Sequence, residues 1–469
     1  MISLNRPYDI AGNGERLTVS GERNSGTGYG LPGTGYGLPV MGEMEIVYSS
    51  REGLSRVYRQ LYEERGAMRV AVSPLTCFIA IYPMVANGHV PVFVDIDPET
   101  LNMSEEALMA HEDVQAVQVI YLGGNPMRMD KVMDWAKKRG VVVIEDCAQA
   151  LGAKYGGQMC GTFGEYAVAS AVKNVYAVCG GVLIENKNIK NQTINLKNNL
   201  LDNQKKIEKN KELSDTSSIS NNLDHMSAQE QVLISPELER LFLGQPSVQS
   251  CSIDTDAQSL SDNSFQKIPK NSENIRSISP LLMVYKRVKR WLEKRADARK
   301  GNIWNAVYGG LLKLKDTRDD SFTNRIHRVP EDVEQEIRAA LGHLDEIQAK
   351  RTRKAELLMA QIDSTKYRLQ QVPEGGESTR NRVIVVALHR EAREVIEALR
   401  AKGIAANNLT QGYTHPYQEH VRKDKMIGRF YIERLENYER IFPHVVSVPC
   451  SPSLNKNEID YIALSLNNL

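Results

Sequence analysis

An apolar stretch that ends in two acids is the first place where this sequence could do chemistry. Val141 to Ile144 are all apolar, and Glu145 and Asp146 follow them directly. Functional groups of open α/β sheets gather at the carboxyl ends of strands, so Asp146 is predicted to face a ligand. An acid at a strand end is also a common cap for the next helix, and the pair alone does not decide between these roles.

A lysine in a second apolar stretch adds a nucleophile. Lys173 has Ser170 three residues before it and the pair Gly180-Gly181 after it. A poorly hydrated lysine has a lowered pKa and attacks carbonyl carbons. A carboxylate that faces a ring nitrogen keeps that nitrogen protonated and makes the ring an electron sink. Lys173 and Asp146 therefore predict covalent chemistry on a carbonyl compound, and the alternative is that Lys173 is a surface lysine at a strand end.

Strands that alternate with helices are predicted to position these residues. A helix is predicted to open at Ser49-Ser50-Arg51-Glu52, because apolar residues then recur at helical spacing. Nearly continuous apolar strands are typical of a mostly parallel sheet that helices cover on both faces. The strand candidates are Met68 to Val72, Val90 to Val94, Ala116 to Tyr121 and Val141 to Ile144, with helices at Thr76 to Ala86 and Asp130 to Arg139 between them.

The overall composition excludes several classes of protein. The 469 residues are 41% hydrophobic and 25% charged, which indicates two or more globular domains rather than a fibrous or disordered chain. A net charge of +1 argues against a nucleic-acid partner. The six cysteines form no C-x-x-C pair and no zinc spacing, so we expect no metal and reduced thiols in a cytoplasmic protein. No apolar run approaches the roughly 20 residues of a membrane span, and no signal peptide is recognisable.

Composition also predicts five segments. Residues 1–42 form a Gly-rich flexible arm that carries the heptad GTGYGLP twice, and residues 43–185 form the large domain. Residues 186–279 are rich in Asn, Lys, Ser and Gln and are predicted to be a largely disordered insertion. Residues 280–345 return as helices to the large domain. Residues 346–469 form a smaller α/β domain, with a strand at 382–388, a helix at 391–402 and a last strand near 445–448.

A basic amphipathic helix is predicted at residues 281–299. Its apolar residues share one helical face, and lysines and arginines populate the rest. One interpretation is peripheral contact with an anionic membrane surface. The other is a helix packed on the protein body, with the long basic side chains reaching to water.

Several segments resemble the DegT/DnrJ/EryC1/StrS aminotransferases. Glu145-Asp146-Cys-Ala-Gln149-Ala-Leu-Gly-Ala is close to that family's Glu-Asp-Ala-Ala-Gln-Ala-x-Gly-Ala, and Pro91-Val-Phe-Val-Asp-Ile-Asp97 is similar to one of its strands. Ser49-Ser-Arg-Glu52 resembles its first helix start, and the resemblance resumes from Ile337 to Arg351. The resemblance implies a pyridoxal-phosphate enzyme of fold type I, with a seven-stranded-type sheet sandwiched by helices.

The resemblance also implies roles for individual residues. Lys173 would bind the cofactor aldehyde covalently, and Asp146 would pair with the pyridine nitrogen. Gln149 would lie near the ring hydroxyl, although it could instead cap a helix, and Ser170 would be a phosphate ligand or a plain turn residue. The remaining candidates are Ser50 and Arg51 for the phosphate, Cys77 or Phe78 for stacking on the ring, and His415 for the substrate.

The implied function is transfer of an amino group from glutamate or glutamine to a keto sugar nucleotide, in polysaccharide or amino-sugar biosynthesis, by a homodimer. One alternative is dehydration of a sugar, but the relatives that do this have His in place of the lysine. Another is a non-catalytic or weakly active member that acts as a regulatory or membrane-surface protein. Two departures bear on this alternative. Cys77 stands where the family often has an aromatic residue, and the family's Asn-x-Arg-Met loop is not recognisable near Asn324 to Arg328.

Overall fold

The computed structural model describes residues 43–190, 276–277, 327–409 and 435–469, all of which belong to one compact unit. Its centre is a seven-stranded sheet whose strands are Glu43–Val47 (β1), Arg69–Val72 (β2), Val90–Phe93 (β3), Ala116–Ile120 (β4), Val142–Cys147 (β5), Tyr166–Ser170 (β8) and Gly181–Glu185 (β9). Their order is β1-β9-β8-β5-β4-β2-β3. Six of these strands run in one direction, and β9 alone runs against its neighbours β1 and β8. The expected mostly parallel α/β fold is confirmed.

Helices cover both faces of this sheet. The helices are Ser50–Arg65 (α1), Phe78–Ala86 (α2), Glu105–Ala110 (α3), Met129–Arg139 (α4), Ala171–Asn174 (α5), Glu331–Gly342 (α6), Leu344–Met359 (α7), Ala392–Ala401 (α8), Glu436–Ile441 (α9) and Lys456–Asn467 (α10). On one face, α1 and α2 bury apolar side chains against β2, β4, β5 and β8. On the other face, α4 and α6 pack against the same strands.

The start of α1 follows from its local sequence. Ser49 is in an extended conformation, and its hydroxyl accepts a hydrogen bond from the Glu52 N–H at 3.2 Å, which fixes the first turn. Leu54, Val57 and Leu61 recur at helical spacing and are buried against the sheet. The helix therefore begins where the sequence predicts, with its N-terminus directly after β1.

A second, smaller sheet lies in the C-terminal part of the chain. Its strands Tyr367–Leu369 (β12), Arg382–Ala387 (β14) and Val445–Pro449 (β15) are antiparallel in the order β12-β14-β15. It has its own apolar core with α7, α8 and α10. A further three-stranded sheet joins Gly376–Glu377 (β13) to the hairpin of Lys154–Tyr155 (β6) and Gln158–Met159 (β7), so the C-terminal segment also pairs with the large sheet's loops. A short pair of strands, Arg276–Ser277 (β10) and His327–Arg328 (β11), completes the described strands.

Two features differ from the sequence expectation or lie beyond it. The single helical pattern through Ile337 and Ile347 is two helices, because Gly342 has poor helix propensity and His343 leaves the helical conformation between α6 and α7. The arm at residues 1–42, the basic helix at 281–299 and nearly all of the insertion at 186–279 lie outside the described residues. The domain boundaries therefore stay predictions. Within the described ranges, no helix is both long and apolar enough to cross a bilayer.

Candidate active site

The predicted site residues gather at one edge of the large sheet, where its parallel strands end. Asp146 is the second-last residue of β5, Ser170 ends β8, and Ser50 starts the helix that follows β1. Asp146 and Val168 are register partners in the pair β5–β8, so the exit of β8 toward Lys173 lies beside the acid. The convergence of these strand ends produces one polar cluster at the sheet edge.

Asp146 is a buried carboxylate held by two donors. It is 4% exposed, its Oδ1 atom accepts from the Ala148 N–H at 3.0 Å, and its Oδ2 atom accepts from the side chain of Gln118 at 3.1 Å. Burial raises the pKa of this carboxyl group, while the Ala148 N–H, the Lys173 charge and Gln118 each act to lower it. Lys173 thus lies near enough to act on the Asp146 charge, and a further cation would relieve the burial penalty.

Its neighbour Glu145 points to the opposite face of β5, as alternation along a strand requires. Its carboxylate accepts hydrogen bonds from the N–H groups of Gly161, Phe163 and Gly164 at 2.6, 2.7 and 2.8 Å. The Tyr121 hydroxyl donates a fourth at 2.5 Å. Glu145 therefore organises the loop before β8, and of the two adjacent acids only Asp146 faces the polar cluster.

The turn that carries Lys173 is held from both sides. The Ser170 hydroxyl accepts from the Lys173 N–H at 3.4 Å, which caps the short helix α5. Asn381 donates from Nδ2 to the Lys173 carbonyl oxygen at 3.1 Å. Asn174 donates from Nδ2 to the carbonyl oxygen of Ala148 at 3.1 Å, which ties the turn to the exit of β5. The lysine is half-buried, and its backbone is fixed relative to Asp146.

The N-terminus of α1 forms the third part of the cluster. Ser50 and Arg51 occupy its first turn, directly after the Ser49 cap and at the positive end of the helix dipole. Gly181 of β9 packs directly against this turn, since a Cβ there would lie 2.5 Å from the Ser50 nitrogen. Such a helix start suits a phosphate group.

The other predicted residues are placed as follows. The Gln149 side-chain oxygen accepts from the Gly123 N–H at 3.1 Å, so this side chain braces the loop after β4. The Cys77 thiol lies before α2, and burial raises its pKa, which the charges of Lys173 and Arg51 oppose. The Cys77 side chain therefore shares the environment of Asp146 and Lys173. The side chain of Phe78 and all of His415 lie outside the described part of the structure.

Four buried residues around the site escaped the sequence analysis. Gln118 and Tyr58 form a hydrogen-bonded chain that ends on Asp146. Asn174 and Arg351 hold the turn at Lys173. A signal did exist for Gln118, because a glutamine in the apolar strand Ala116–Ile120 needs buried partners. The others depend on contacts between distant segments.

A comparison with protein-family models identifies the chain. The model of the DegT/DnrJ/EryC1/StrS aminotransferase family matches residues 49–234 and 336–467, which is well over half of the sequence. The chain belongs to this family. The resemblance noted in the sequence is therefore confirmed.

Individual relatives match shorter stretches. GDP-perosamine synthase of Escherichia coli O157:H7 is 35% identical over 121 residues, which is 25% of this chain and 33% of that protein. The 4-aminotransferase of Saccharopolyspora spinosa that acts on dTDP-4-dehydro-2,3,6-trideoxy-D-glucose is 34% identical over 116 residues, 24% of this chain and 30% of that protein. The aligned segments thus span a third or less of these curated relatives.

Solved structures show the same fold over most of the chain. PseC of Helicobacter pylori, an aminotransferase of pseudoaminic acid biosynthesis, gives a TM-score of 0.55 at 16% identity and covers 91% of this chain and 86% of its own. This agreement identifies the fold as that of fold type I pyridoxal-phosphate enzymes.

The residues at the sheet edge fit the family's cofactor, pyridoxal phosphate. Asp146 is a buried carboxylate, and burial raises its pKa. A protonated ring nitrogen would supply a positive counter-charge that stabilises the carboxylate. Lys173 offers an amine beside it, and the first turn of α1 offers N–H donors for the phosphate. These three features match the base, the aldehyde and the phosphate of one molecule.

Proposed function

We propose that this chain is a pyridoxal-phosphate-dependent aminotransferase that moves an amino group from glutamate or glutamine to a keto sugar nucleotide. The observation that carries the proposal is the placement of Lys173 beside the buried Asp146 at the carboxyl edge of a fold type I sheet. The names of the relatives support a sugar substrate, since they include a GDP-perosamine synthase and a dTDP-sugar aminotransferase.

The cofactor supplies an electron sink that stabilises negative charge on the carbon bonded to the transferred nitrogen. Lys173 would hold its aldehyde carbon through Nζ and, once the amino donor has displaced this nitrogen, would move a proton to and from the reacting carbon. Asp146 would keep a proton on the ring nitrogen, which that electron sink requires. Buried surroundings around Asp146 exclude water and strengthen this charge pairing.

The rest of the cluster is proposed to bind and orient. Ser50 and Arg51 would hold the phosphate at the start of α1, and Ser170 would add its hydroxyl, because a hydroxyl that accepts one hydrogen bond can still donate another. Gln149 would lie beside the ring hydroxyl. Cys77 or Phe78 would lie against the ring, and His415 would contact the substrate.

Other parts of the proposal concern the protein's setting. We expect a homodimer, a cytoplasmic location and a role in polysaccharide or amino-sugar biosynthesis. Peripheral membrane contact through residues 281–299 stays a prediction, because that segment lies outside the described residues.

The deciding experiment is reconstitution of the full chain with pyridoxal phosphate, followed by borohydride reduction and peptide mapping by mass spectrometry. We expect visible-range absorbance and a reduced cofactor adduct at Lys173, both of which are lost in Lys173→Ala. Lys154→Ala is the matched control, because Lys154 is a partly exposed lysine paired with Glu377. Glutamate should then convert the bound cofactor to its amine form, with release of 2-oxoglutarate. A chain that takes up no cofactor would refute the proposal.

A further inference from the structure

A fully buried amide lies in the middle of the sheet on the same face as Asp146. Gln118 is 0% exposed, and its register partner in β5 is Ile144, two residues before Asp146. Side chains two apart on a strand share a face, so Gln118 and Asp146 lie diagonally opposite across neighbouring strands. A buried amide is retained only where its polar atoms are satisfied.

The partners of Gln118 fix which way its amide points. The Oε1 atom accepts from the Tyr58 hydroxyl at 2.6 Å, and Nε2 donates to Asp146 Oδ2 at 3.1 Å and to the Ala80 carbonyl oxygen at 3.2 Å. The reversed amide would place an oxygen against two acceptors. Gln118 is therefore required to donate to Asp146.

Tyr58 provides the other end of this chain. It lies on α1 with no exposure to solvent, and its hydroxyl donates its single hydrogen bond to Gln118 Oε1. The Tyr58 backbone is anchored as well, since the His89 Nε2 atom lies 2.7 Å from its carbonyl oxygen. The same helix carries Ser50 and Arg51 at its start, so one rigid element holds both the proposed phosphate site and the support of Asp146.

We propose that Gln118 and Tyr58 are positioning residues that hold the Asp146 carboxylate charged and aimed at the ring nitrogen of the bound cofactor. This inference rests on the proposed function. It assigns a role to two residues on α1 and β4 that do not touch the cofactor themselves. Asp146 Oδ2 accepts a hydrogen bond from Gln118 Nε2 and Oδ1 accepts one from the Ala148 N–H, so two fixed donors set the carboxylate plane before any ligand binds.

The charge state of Asp146 depends on the hydrogen bond from Gln118. Lys173 from α5 favours its charged form, whereas burial opposes it. Tyr58 from α1 and Cys77 before α2 lie near it, and both are held neutral because burial raises their pKa values. Cys147, the next residue of β5, lies on the opposite face of the strand and is also held neutral, because burial raises its pKa. Without the Gln118 donor the pKa of Asp146 would rise further, and the acid would lose its charge at a higher pH.

The test compares two ligands of the apoprotein: pyridoxal phosphate, and an analogue in which C–H replaces the ring nitrogen. The variant Gln118→Met keeps the side-chain length and removes all three hydrogen bonds of the amide, to Tyr58, Asp146 and Ala80. We expect it to weaken the binding of pyridoxal phosphate about 10-fold or more and the binding of the analogue by less than about twofold, because only pyridoxal phosphate has a ring nitrogen to pair with Asp146. Tyr58→Phe should act in the same direction with a smaller effect. Acid should abolish the tighter binding of pyridoxal phosphate over the analogue in both proteins. We expect the pH at which this happens to be higher in Gln118→Met than in the wild type.

Two control variants separate this role from general packing. Gln370→Met removes a buried amide that donates to the Thr100 and Leu122 carbonyl oxygens, and Tyr367→Phe removes a buried hydroxyl that donates to Leu466. Both should lower stability without changing the ratio of the two ligand affinities. If the wild type binds pyridoxal phosphate and Gln118→Met has the same ratio of ligand affinities, the inference is overturned and the proposed function is upheld. If Gln118→Met fails to fold, the ratio of ligand affinities in Tyr58→Phe decides. A wild type that binds neither ligand would overturn both.

Discussion

Arg351 donates from Nη2 to the carbonyl oxygen of Asn174 at 2.9 Å, although 177 positions separate the two residues. Its side chain has no exposure to solvent, and the same guanidinium reaches Gln348 Oε1 at 2.9 Å and the Tyr176 hydroxyl at 3.0 Å. Helix α7 thereby holds the residue that follows Lys173. The geometry of the proposed nucleophile depends on a distant part of the chain.

Replacing Arg351 should disturb both the fold and the turn at Lys173. Arg351→Met leaves the Asn174 carbonyl and the Gln348 amide oxygen without their donor, and we expect a loss of about 3 kcal/mol or more in the free energy of unfolding. Arg351→Lys keeps the charge but not the planar fork, so most of the loss should remain. Urea unfolding measures the stability, and borohydride trapping measures cofactor retained at Lys173. Wild-type values for both in Arg351→Met would contradict this account.

The two adjacent acids should separate in their mutant phenotypes. Glu145→Gln places an amide NH2 among four hydrogen-bond donors, so we expect the free energy of unfolding to fall by about 2 to 4 kcal/mol. The spectrum of bound cofactor should not change, because Glu145 faces away from the cluster.

Asp146→Asn should show the opposite pattern. Amino transfer should fall by about 100-fold or more, since the ring nitrogen would lose its counter-charge, while covalent attachment at Lys173 persists. Stopped-flow measurement of the glutamate half-reaction together with urea unfolding compares the two variants. Equal half-reaction rates in both would be incompatible with the assigned roles.

Gly181 should tolerate no side chain. A Cβ at this position would lie 2.5 Å from the Ser50 nitrogen and 2.8 Å from the Ala169 carbonyl oxygen, so Gly181→Ala should shift the start of α1. We expect a stability loss of about 1 to 3 kcal/mol and weaker binding of inorganic phosphate to the apoprotein. Gly157→Ala is the control: its φ of +79° makes alanine strained, but nothing lies within 4 Å. It should lose stability and keep phosphate affinity, as calorimetry can show.

His89 should make stability depend on pH. Burial lowers the pKa of this imidazole, its Nδ1 atom accepts from the Met68 N–H at 3.2 Å, and Nε2 faces the Tyr58 carbonyl oxygen. The unfolded chain binds a proton at His89 below about pH 6.5 and the folded chain resists it, so stability should fall as pH drops through that value toward the lower folded pKa.

The measurement for His89 is the urea midpoint between pH 5 and 8. His89→Gln should be less stable at neutral pH but should lose part of the pH slope. His389→Asn removes an exposed histidine and should keep the wild-type slope. A slope identical in His89→Gln and wild type would mean that other groups set the pH dependence.

The sequence alone predicted the α/β class and the family, which are confirmed, and it named Asp146 and Lys173 as the central site candidates. These features could be predicted because continuous apolar strands, the cap at Ser49 and the short motif around Asp146 each depend only on residues close together in the chain.

Only the tertiary structure decided what supports Asp146 and what its neighbour Glu145 does instead. Alternation along β5 sends Glu145 to one face and Asp146 to the other, but the sequence does not reveal which face holds α1. The links from Tyr58 through Gln118 to Asp146 span 60 and 28 positions, and a hydrogen bond between distant segments leaves no periodicity in either of them. The break between α6 and α7 was likewise missed, because the apolar pattern continues through Gly342 and His343.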